Sequence, residues 1–287
     1  MTITHIEQLA KRYTEYDVIR TYTDLPDFPE FRIRLLFAFL EAADTAANKS
    51  ELYSLVTAIV QMGLDIHEEV PALNAEKSKP EARSLQLKVL AGDYFSSRYY
   101  NLLAEAGEVA AVRLLAASVC EINRLKVSLY MAIRQMKLSA EEYLRQKVQI
   151  KSELFLSLSG LLPERAKCSM AELLQGITRL EVLNAEMRRL QDDRVVPGSW
   201  AFWHMLDQGS REDQKLLRNG TADPSRQRSM LLKYKVGAHL EQLLQDQLQQ
   251  LSGKLQELKS ERLLQDLQPL AELINCWMNR PRILEKR

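Results

Sequence analysis

The chain has 287 residues, 46% of them hydrophobic and 27% charged, with only 10 glycines and 9 prolines. This composition excludes a disordered chain and a turn-rich β fold, and the length is enough to bury a substantial apolar core. The 39 lysines and arginines balance 38 acidic residues, so no broad positive field favours nucleic acid or an anionic membrane surface.

Helical periodicity runs through nearly the whole chain. Apolar residues recur at three- and four-residue spacing, and runs of alternating β-branched residues are missing, which predicts an all-α protein. Clusters of proline, glycine and asparagine break this pattern into about eight to ten helices. No fixed repeat period is visible, so a helical solenoid is not expected. We therefore expect one all-helical domain over residues 1–287.

Two segments of the N-terminal half place carboxylates and a glycine on predicted helices. Residues 63–70 end one helix, and residues 89–100 lie on the next. In the first segment Asp65 and Glu68 are one helical turn apart and share a face, where two carboxylates can bind a divalent cation together. Alternatively, the same carboxylates belong to a solvated helix end and have no catalytic or metal-binding role. In the second segment Gly92 equally permits close packing of two helices.

The middle of the chain carries one clear helix start and one irregular stretch. Ser139 and Glu142 form a capping-box pattern that predicts a helix beginning there, and Pro163 predicts its end. Residues 197–224 contain two breaks and are predicted to form an irregular excursion. Its aromatic patch, typical of a core or an interface, consists of Trp200, Phe202 and Trp203.

Residues 225–279 are rich in leucine and glutamine and predict long C-terminal helices. Leucines at helical spacing between Leu240 and Leu258 form one apolar seam. Such a seam is typical of a core helix or of a helix that faces a partner. The sequence leaves both alternatives open.

The two acidic and glycine-containing segments together resemble trans-prenyltransferases. In that family an aspartate-rich motif, DDxxD, ends one helix, and a Gly-Asp pair lies on the next. The match puts Asp65 at the second aspartate and Glu68 at the last, but Leu64 stands at the first, where a principal metal ligand belongs. The family's pair of diphosphate-binding arginines falls near Leu73 and Asn74 and is missing.

Two later segments extend this resemblance. The surroundings of Lys151 are similar to the family's Lys-Thr segment, whose lysine contacts diphosphate. Asp192 and Asp193 lie about where the second aspartate-rich motif sits in active enzymes, and Val196 occupies its closing carboxylate position. The pattern indicates a prenyl-synthase frame whose metal and diphosphate ligands are eroded.

The stretch LQLKVLAGDYFSSRYYNLL is similar to component I, the small regulatory subunit of heptaprenyl diphosphate synthases. The resemblance is best supported over residues 56–155. It implies a fold of the isoprenoid-synthase type whose C-terminal end departs from the family frame. It also implies a cytoplasmic heterodimer with a catalytic component II, which would carry the Mg²⁺ ions while this chain binds no cofactor of its own.

In this family the pair of subunits elongates farnesyl diphosphate with isopentenyl diphosphate to make the side-chain precursor of menaquinone. The resemblance therefore implies that this chain holds no catalytic residue and shapes the product channel. The residues that it assigns to the isoprenoid tail or to the partner interface are Leu64, Asp65, Glu68, Glu69, Gly92, Asp93, Tyr94, Ser97, Tyr100 and Lys151.

Two other functions stay open from the sequence. The first is an active homomeric trans-prenyltransferase with metal ligands at Asp65, Glu68, Asp192 and Asp193. The second is a helical scaffold or adaptor, unrelated to isoprenoids, built on the C-terminal leucine seam. No serine, cysteine or histidine constellation and no glycine-rich phosphate loop supports another enzyme class.

The sequence also predicts where the protein works. Three widely spaced cysteines offer neither a disulfide framework nor a paired metal-ligand spacing. The N-terminal residues lack the pattern of a signal peptide, and no stretch approaches the length of a membrane span. We expect a soluble, unprocessed cytoplasmic protein without integral membrane association and without a nucleic-acid partner.

Overall fold

The computed structural model describes residues 3–14, 19, 21, 23–43, 49–70, 79–191 and 195–278. Within these ranges the chain forms 13 α-helices, one 3₁₀ helix and no strand, which confirms the all-α prediction. The first six helices are α1 (Ile3–Thr14), α2 (Glu30–Ala43), α3 (Ser50–Glu68), α4 (Lys79–Glu105), α5 (Val109–Arg134) and α6 (Ala140–Ser157). The 3₁₀ helix (Leu158–Leu161) is followed by α7 (Glu164–Gln191), α8 (Trp200–Gln208), α9 (Arg211–Asn219), α10 (Pro224–Lys233), α11 (Val236–Gln256), α12 (Glu261–Asp266) and α13 (Gln268–Met278).

The helices outnumber the predicted eight to ten because side-chain caps start extra helices in the C-terminal half. The Ser199 hydroxyl accepts a hydrogen bond from the Phe202 N–H group, and α8 begins there. The Ser210 hydroxyl accepts one from the Asp213 N–H group, and α9 begins there. Residues 197–224 therefore hold two short helices, and the prediction of an irregular excursion is wrong.

The capping box at the start of α6 is present. The Glu142 N–H group donates to Ser139 Oγ over 3.1 Å, as the sequence pattern predicts. The α-helix ends at Ser157, slightly before the predicted end, and one 3₁₀ turn carries the chain on to Pro163. The observed start of α6 thus matches the predicted start, and its observed end lies within about two helical turns of the predicted end.

The described residues group into two compact units. Unit 1 comprises Met1–Val119 and Leu154–Met170, and unit 2 comprises Cys120–Glu153 and Ala171–Arg287. Helices α5, α6 and α7 each contribute residues to both units. The single domain expected over residues 1–287 stays a prediction. None of the described helices is long and apolar enough to cross a bilayer.

Unit 1 is built around α3. Every residue of this helix from Tyr53 to Gly63 is buried, and the helix packs against α1, α2 and α4. A helix that is apolar on all sides must be covered on all sides. This covering fixes the position of the C-terminal end of α3, which carries the predicted acidic segment.

Unit 2 has α8 in its core. All residues from Trp200 to Leu206 are buried, and the helix packs against α9, α10 and α11. The aromatic patch predicted as core or interface is therefore core. In α11 the seam residues that are fully buried are Leu240, Leu248, Leu251 and Leu255, so this part of the leucine seam also belongs to the core of unit 2.

The C-terminal segment 225–279 is more divided than predicted. Lys235 adopts a left-handed backbone with φ of 49° and separates α10 from α11. Ser260 caps the short helix α12 by accepting from the Leu263 N–H group. Only α11, with 21 residues, is long. Local caps and one strained residue divide this stretch, and neither is visible in apolar periodicity.

A buried carboxylate, Glu186, holds the segment that precedes α8. Its side chain is 3% exposed and accepts hydrogen bonds from the Trp200 N–H group at 2.8 Å and from the Arg189 guanidinium at 3.1 Å. The Tyr143 hydroxyl donates to the Gly198 carbonyl at 2.6 Å. Burial and the neighbouring Glu186 carboxylate raise the pKa of Tyr143 well above its usual range, so the phenol stays a donor.

A second buried carboxylate, Asp213, joins α9 to α10. It is fully buried and accepts hydrogen bonds from Lys233 at 2.7 Å, from the Tyr234 hydroxyl at 2.6 Å and from Arg226 at 2.7 Å. These donors, Lys233 first, hold the pKa of Asp213 far below its usual range. The carboxylate is therefore charged at every physiological pH and binds two helices together.

Replacing Asp213 with asparagine keeps the shape of the side chain and removes its charge. We expect D213N to lower the free energy of unfolding by about 1–3 kcal/mol at neutral pH, because the charge-assisted hydrogen bonds weaken. The carboxyl pKa is lower in the folded than in the unfolded chain, so this contribution is fully present above about pH 4 and is lost as the pH falls.

Urea unfolding at neutral and at acidic pH measures the effect. The difference between wild type and D213N should shrink below about pH 4. The matched control is D246N on α11, where the exposed Asp246 accepts from Gln242, and its stability should stay within about 0.5 kcal/mol of wild type. A difference for D213N that is independent of pH would contradict the assignment.

Candidate functional site

The candidate site lies in unit 1, where α3 and α4 approach each other closely. A Cβ atom added to Gly63 would meet the Gly92 carbonyl oxygen and the Phe95 Cβ, each at 3.3 Å. Real side chains rarely tolerate such distances, so glycine at position 63 lets the two backbones meet. The close approach brings the predicted acidic segment of α3 beside the predicted Gly-Asp segment of α4.

His67 packs directly over Gly92. A Cβ atom at position 92 would lie 2.3 Å from His67 Nε2, so any side chain there must displace the imidazole. The same nitrogen lies 3.7 Å from the Asp93 carboxylate, which is 68% exposed. The packing of His67 is compatible with the structural role of Gly92, and a chemical role for this residue stays a prediction.

The acidic residues at the end of α3 make contacts within the protein. Asp65 is half-buried and accepts a hydrogen bond from the Gln61 side-chain amide at 3.0 Å. Glu69, just past the helix, pairs with Lys88 of α4 at 2.6 Å. Glu68 is exposed and Leu64 is half-buried. The carboxylates thus lie in one neighbourhood, as predicted, but at least two of them have donors from the chain itself.

The aromatic residues of α4 divide between the core and the surface. Phe95 and Tyr99 are buried, whereas Tyr94 is half-buried and Tyr100 is 45% exposed. The Tyr100 ring stacks on that of Tyr99 with a centroid distance of 4.3 Å. The exposed Ser97 hydroxyl donates to the Tyr94 carbonyl within the helix. These aromatic side chains therefore divide between a buried and a more exposed face of α4.

Tyr100 also lines a shallow apolar recess at the turn between α4 and α5. The recess has a cavity volume of ≈ 380 Å³. Its lining residues are Tyr100, Asn101, Ala104, Val109 and Val112. Val109 is 61% exposed, so an apolar surface of unit 1 faces solvent here.

Lys151, the remaining predicted site residue, lies on α6 in unit 2 and is half-buried. The other nine predicted residues lie in unit 1, so a common site with Lys151 stays a prediction.

Close to Lys151 in the chain, the half-buried Glu153 faces Glu121 of α5. Burial and then the Glu121 carboxylate raise the pKa of Glu153. The sequence analysis did not single out this acidic pair.

Several predicted features lie outside the described residues: Leu73, Asn74, Asp192 and Asp193. The eroded arginine pair and the vestigial second motif therefore stay sequence predictions. Val196, the residue at the closing position of that motif, is described and is 48% exposed.

Lys88 is a further functional candidate, and the sequence motifs do not include it. Its side chain is 14% exposed and reaches from α4 to Glu69 at the end of α3. Its position in the sequence gives one indication of this role. Lys88 precedes Gly92 by one helical turn and therefore lies on the same face of α4. Only the packing of α3 on α4 shows that this face meets the acidic segment.

The fold is the all-α fold of isoprenoid synthases. A decaprenyl diphosphate synthase from Rhodobacter capsulatus matches with a TM-score of 0.67 and 14% identity, over 98% of this chain and 96% of that one. A heptaprenyl diphosphate synthase from Staphylococcus aureus matches with a TM-score of 0.68 and 10% identity, over 98% of both chains. These likenesses show the fold, and they confirm the isoprenoid-synthase type predicted from the sequence.

The sequence itself defines the family. The family model of heptaprenyl diphosphate synthase (HEPPP synthase) subunit 1 matches residues 16–216, and the chain belongs to this family. Component 1 of heptaprenyl diphosphate synthase from Geobacillus stearothermophilus is 41% identical over 91 residues, which are 32% of this chain and 39% of that relative. The resemblance found in the sequence is confirmed.

The fold class raises the question of a divalent metal. A polyprenyl synthase from Caulobacter crescentus, with a TM-score of 0.65 and 19% identity over 97% of this chain and 95% of that one, is complexed with calcium and isoprenyl diphosphate. In the part of this chain that the structure describes, no group of three or more His, Cys, Asp or Glu residues is placed to hold a metal ion. Leu64 offers no donor atom and Lys88 binds Glu69, so the residues at the end of α3 do not fit such an ion.

A larger side chain at position 63 tests the close approach of α3 and α4. We expect Gly63→Val to lower the free energy of unfolding by about 1–3 kcal/mol, because the Cβ already meets the α4 backbone and the extra methyl groups overpack the contact. Urea unfolding measures the change.

Gly253→Val is the matched control. Gly253 lies inside α11, where an added Cβ meets nothing within 4 Å. Its replacement should change stability by about 0.5 kcal/mol or less, through helix propensity alone. Equal stabilities of the two variants would show that α3 and α4 are not in tight contact at Gly63.

Proposed function

We propose that this protein is the non-catalytic, regulatory subunit of a heteromeric heptaprenyl diphosphate synthase. The single observation that carries the proposal is Leu64, an aliphatic side chain at the leading position of the first aspartate-rich motif in a chain of the subunit 1 family. A hydrocarbon cannot ligate Mg²⁺, which requires oxygen ligands in near-octahedral geometry. The ionisation of an allylic diphosphate would then take place on a catalytic component II.

The ion pair between Glu69 and Lys88 supports the same division of labour. A carboxylate that already accepts from a lysine ammonium at 2.6 Å has less to offer a metal ion. In this proposal Mg²⁺ belongs to the catalytic partner, and this chain binds no cofactor of its own. Lys151 remains a candidate for contact with the diphosphate or with the isoprenoid tail.

The role proposed for this chain is to shape the channel that receives the growing isoprenoid. Half-buried apolar and aromatic side chains on α3 and α4, among them Leu64 and Tyr94, would form one wall of it. Each added isoprene unit gains hydrophobic burial until the channel is full, so product length follows from shape. The product would be the side-chain precursor of menaquinone, made in the cytoplasm.

The exposed side of α5 in unit 2 supports assembly with a partner. Val127, Tyr130 and Met131 are 63%, 55% and 46% exposed and lie within about one helical turn of one another. Clustered apolar side chains of this size on a surface are typical of protein–protein interfaces, and Tyr and Met are enriched there. We assign this α5 face to the catalytic component.

Reconstitution tests the proposed function directly. The purified chain with Mg²⁺, farnesyl diphosphate and isopentenyl diphosphate should show no turnover. Addition of a catalytic component II should give a complex and long-chain product, measured by incorporation of labelled isopentenyl diphosphate and by product length.

Two outcomes would overturn this proposal, and each favours a different alternative. Robust turnover by the chain alone would make it an active homomeric trans-prenyltransferase. A chain that forms no complex and adds no long-chain product would be a helical scaffold unrelated to isoprenoids.

Charged substitutions on α5 test the partner face. We expect the double variant Val127→Asp, Met131→Asp to weaken binding of the catalytic component by at least about tenfold, because both residues would be desolvated at the centre of the contact. Calorimetric titration measures the affinity, and circular dichroism should show that the helix content of the variant alone equals that of the wild type. Leu232→Asp on α10 is the control, since Leu232 is 75% exposed and lies outside the proposed face. Equal affinities for both variants would exclude this face.

A further inference from the structure

The C-terminal end of α3 concentrates negative charge. Asp65, Glu68 and Glu69 lie within two helical turns, and the backbone carbonyls at a helix C-terminus add partial negative charge. In a metal-dependent site a divalent cation offsets such a concentration of carboxylates. Here the residues do not fit that cation, and partners within the protein stabilise the carboxylates instead: Gln61 donates to Asp65 and Lys88 pairs with Glu69.

We infer that the Lys88 ammonium is a built-in counter-ion that replaces a divalent cation at the end of α3. The inference deepens the proposed function, on which it rests, because it names the residue that makes this subunit independent of Mg²⁺. The observation that supports this inference is the ion pair between Lys88 Nζ and Glu69 Oε2 at 2.6 Å. This pair joins α4 to the residue just past α3.

Packing holds the ammonium in place. Lys88 lies one helical turn before Gly92, where His67 packs on the α4 backbone and the two helices are close. The Lys88 side chain is only 14% exposed and that of Glu69 is 38% exposed. A partly buried pair is screened less by salt than a pair in open solvent. The lysine is therefore fixed at the acidic end rather than free to swing into water.

A lysine ammonium stays attached to the protein, whereas a bound metal ion can dissociate. Lysine offers three hydrogen-bond donors and one charge, and it cannot dissociate from the protein. A Mg²⁺ ion would instead leave when its concentration fell. The end of α3 consequently keeps the same conformation with or without Mg²⁺, and the subunit is ready to bind its partner in either condition.

The response of thermal unfolding to Mg²⁺ tests the inference on the isolated full chain. Wild type should show the same Tm, within about 1 °C, in MgCl₂ and in NaCl of equal ionic strength. Lys88→Met should unfold about 2–4 °C lower in NaCl, and MgCl₂ should recover at least half of that loss. The double variant Lys88→Met, Glu69→Gln should not respond to MgCl₂, since the carboxylate that attracts the ion is gone.

Two controls separate the counter-ion from general effects of charge. Lys11→Met removes another lysine of unit 1, one that pairs with Glu7 at 3.0 Å on a single helix, and it should leave the Tm indifferent to Mg²⁺. Lys88→Arg keeps the charge and should behave like wild type, which preserves the test if Lys88→Met fails to fold. The inference is overturned if wild type itself gains stability in MgCl₂, or if Lys88→Met gains none.

These outcomes are independent of the reconstitution assay. Turnover by the isolated chain would refute the proposed function whatever the unfolding curves show. If the wild-type Tm rises with Mg²⁺ but turnover still needs a catalytic component, only the proposal that Lys88 is a counter-ion is refuted.

Discussion

The close contact between α3 and α4 is the constraint on which the candidate site depends. A Cβ atom at position 63 would crowd the α4 backbone, which favours glycine there, and His67 lies directly over Gly92. Since α3 is buried along its whole middle, a shift of this helix would disturb the packing around it. The positions of the acidic residues, of Lys88 and of the α4 aromatics all follow from this contact.

In a metal-dependent prenyl synthase the same pair of helices would present carboxylates to a diphosphate-bound cation. In this chain the pair presents Leu64, a glutamate bound by lysine and a histidine that fills the space above a glycine. The fold is that of the prenyl synthases, whereas these side chains of this chain pack against each other and form an internal ion pair. Under the proposed function, such a frame binds a partner and shapes a channel.

Unit 2 uses buried carboxylates for a different purpose. Glu186 and Asp213 are almost fully inaccessible, and each binds backbone or side-chain donors from separate helices. Buried charges are costly unless every one is paired, so such sites fix a single arrangement of the chain around them. The short helices α9 and α10 bury few apolar side chains, Leu217 on the first and Met230 on the second, and the Asp213 carboxylate supplies hydrogen bonds that hold these two helices together.

The sequence by itself determined the helical class, the cap at Ser139 and the resemblance to the prenyl-synthase family, and it shows an aliphatic Leu64 where that resemblance expects a metal ligand. These depend on local periodicity and on residue identity, which a single chain displays directly. It did not reveal the helices within residues 197–224, the division of the C-terminal segment or the counter-ion Lys88. Those features depend on which helix faces meet, and long-range packing, rather than any local pattern, decides that.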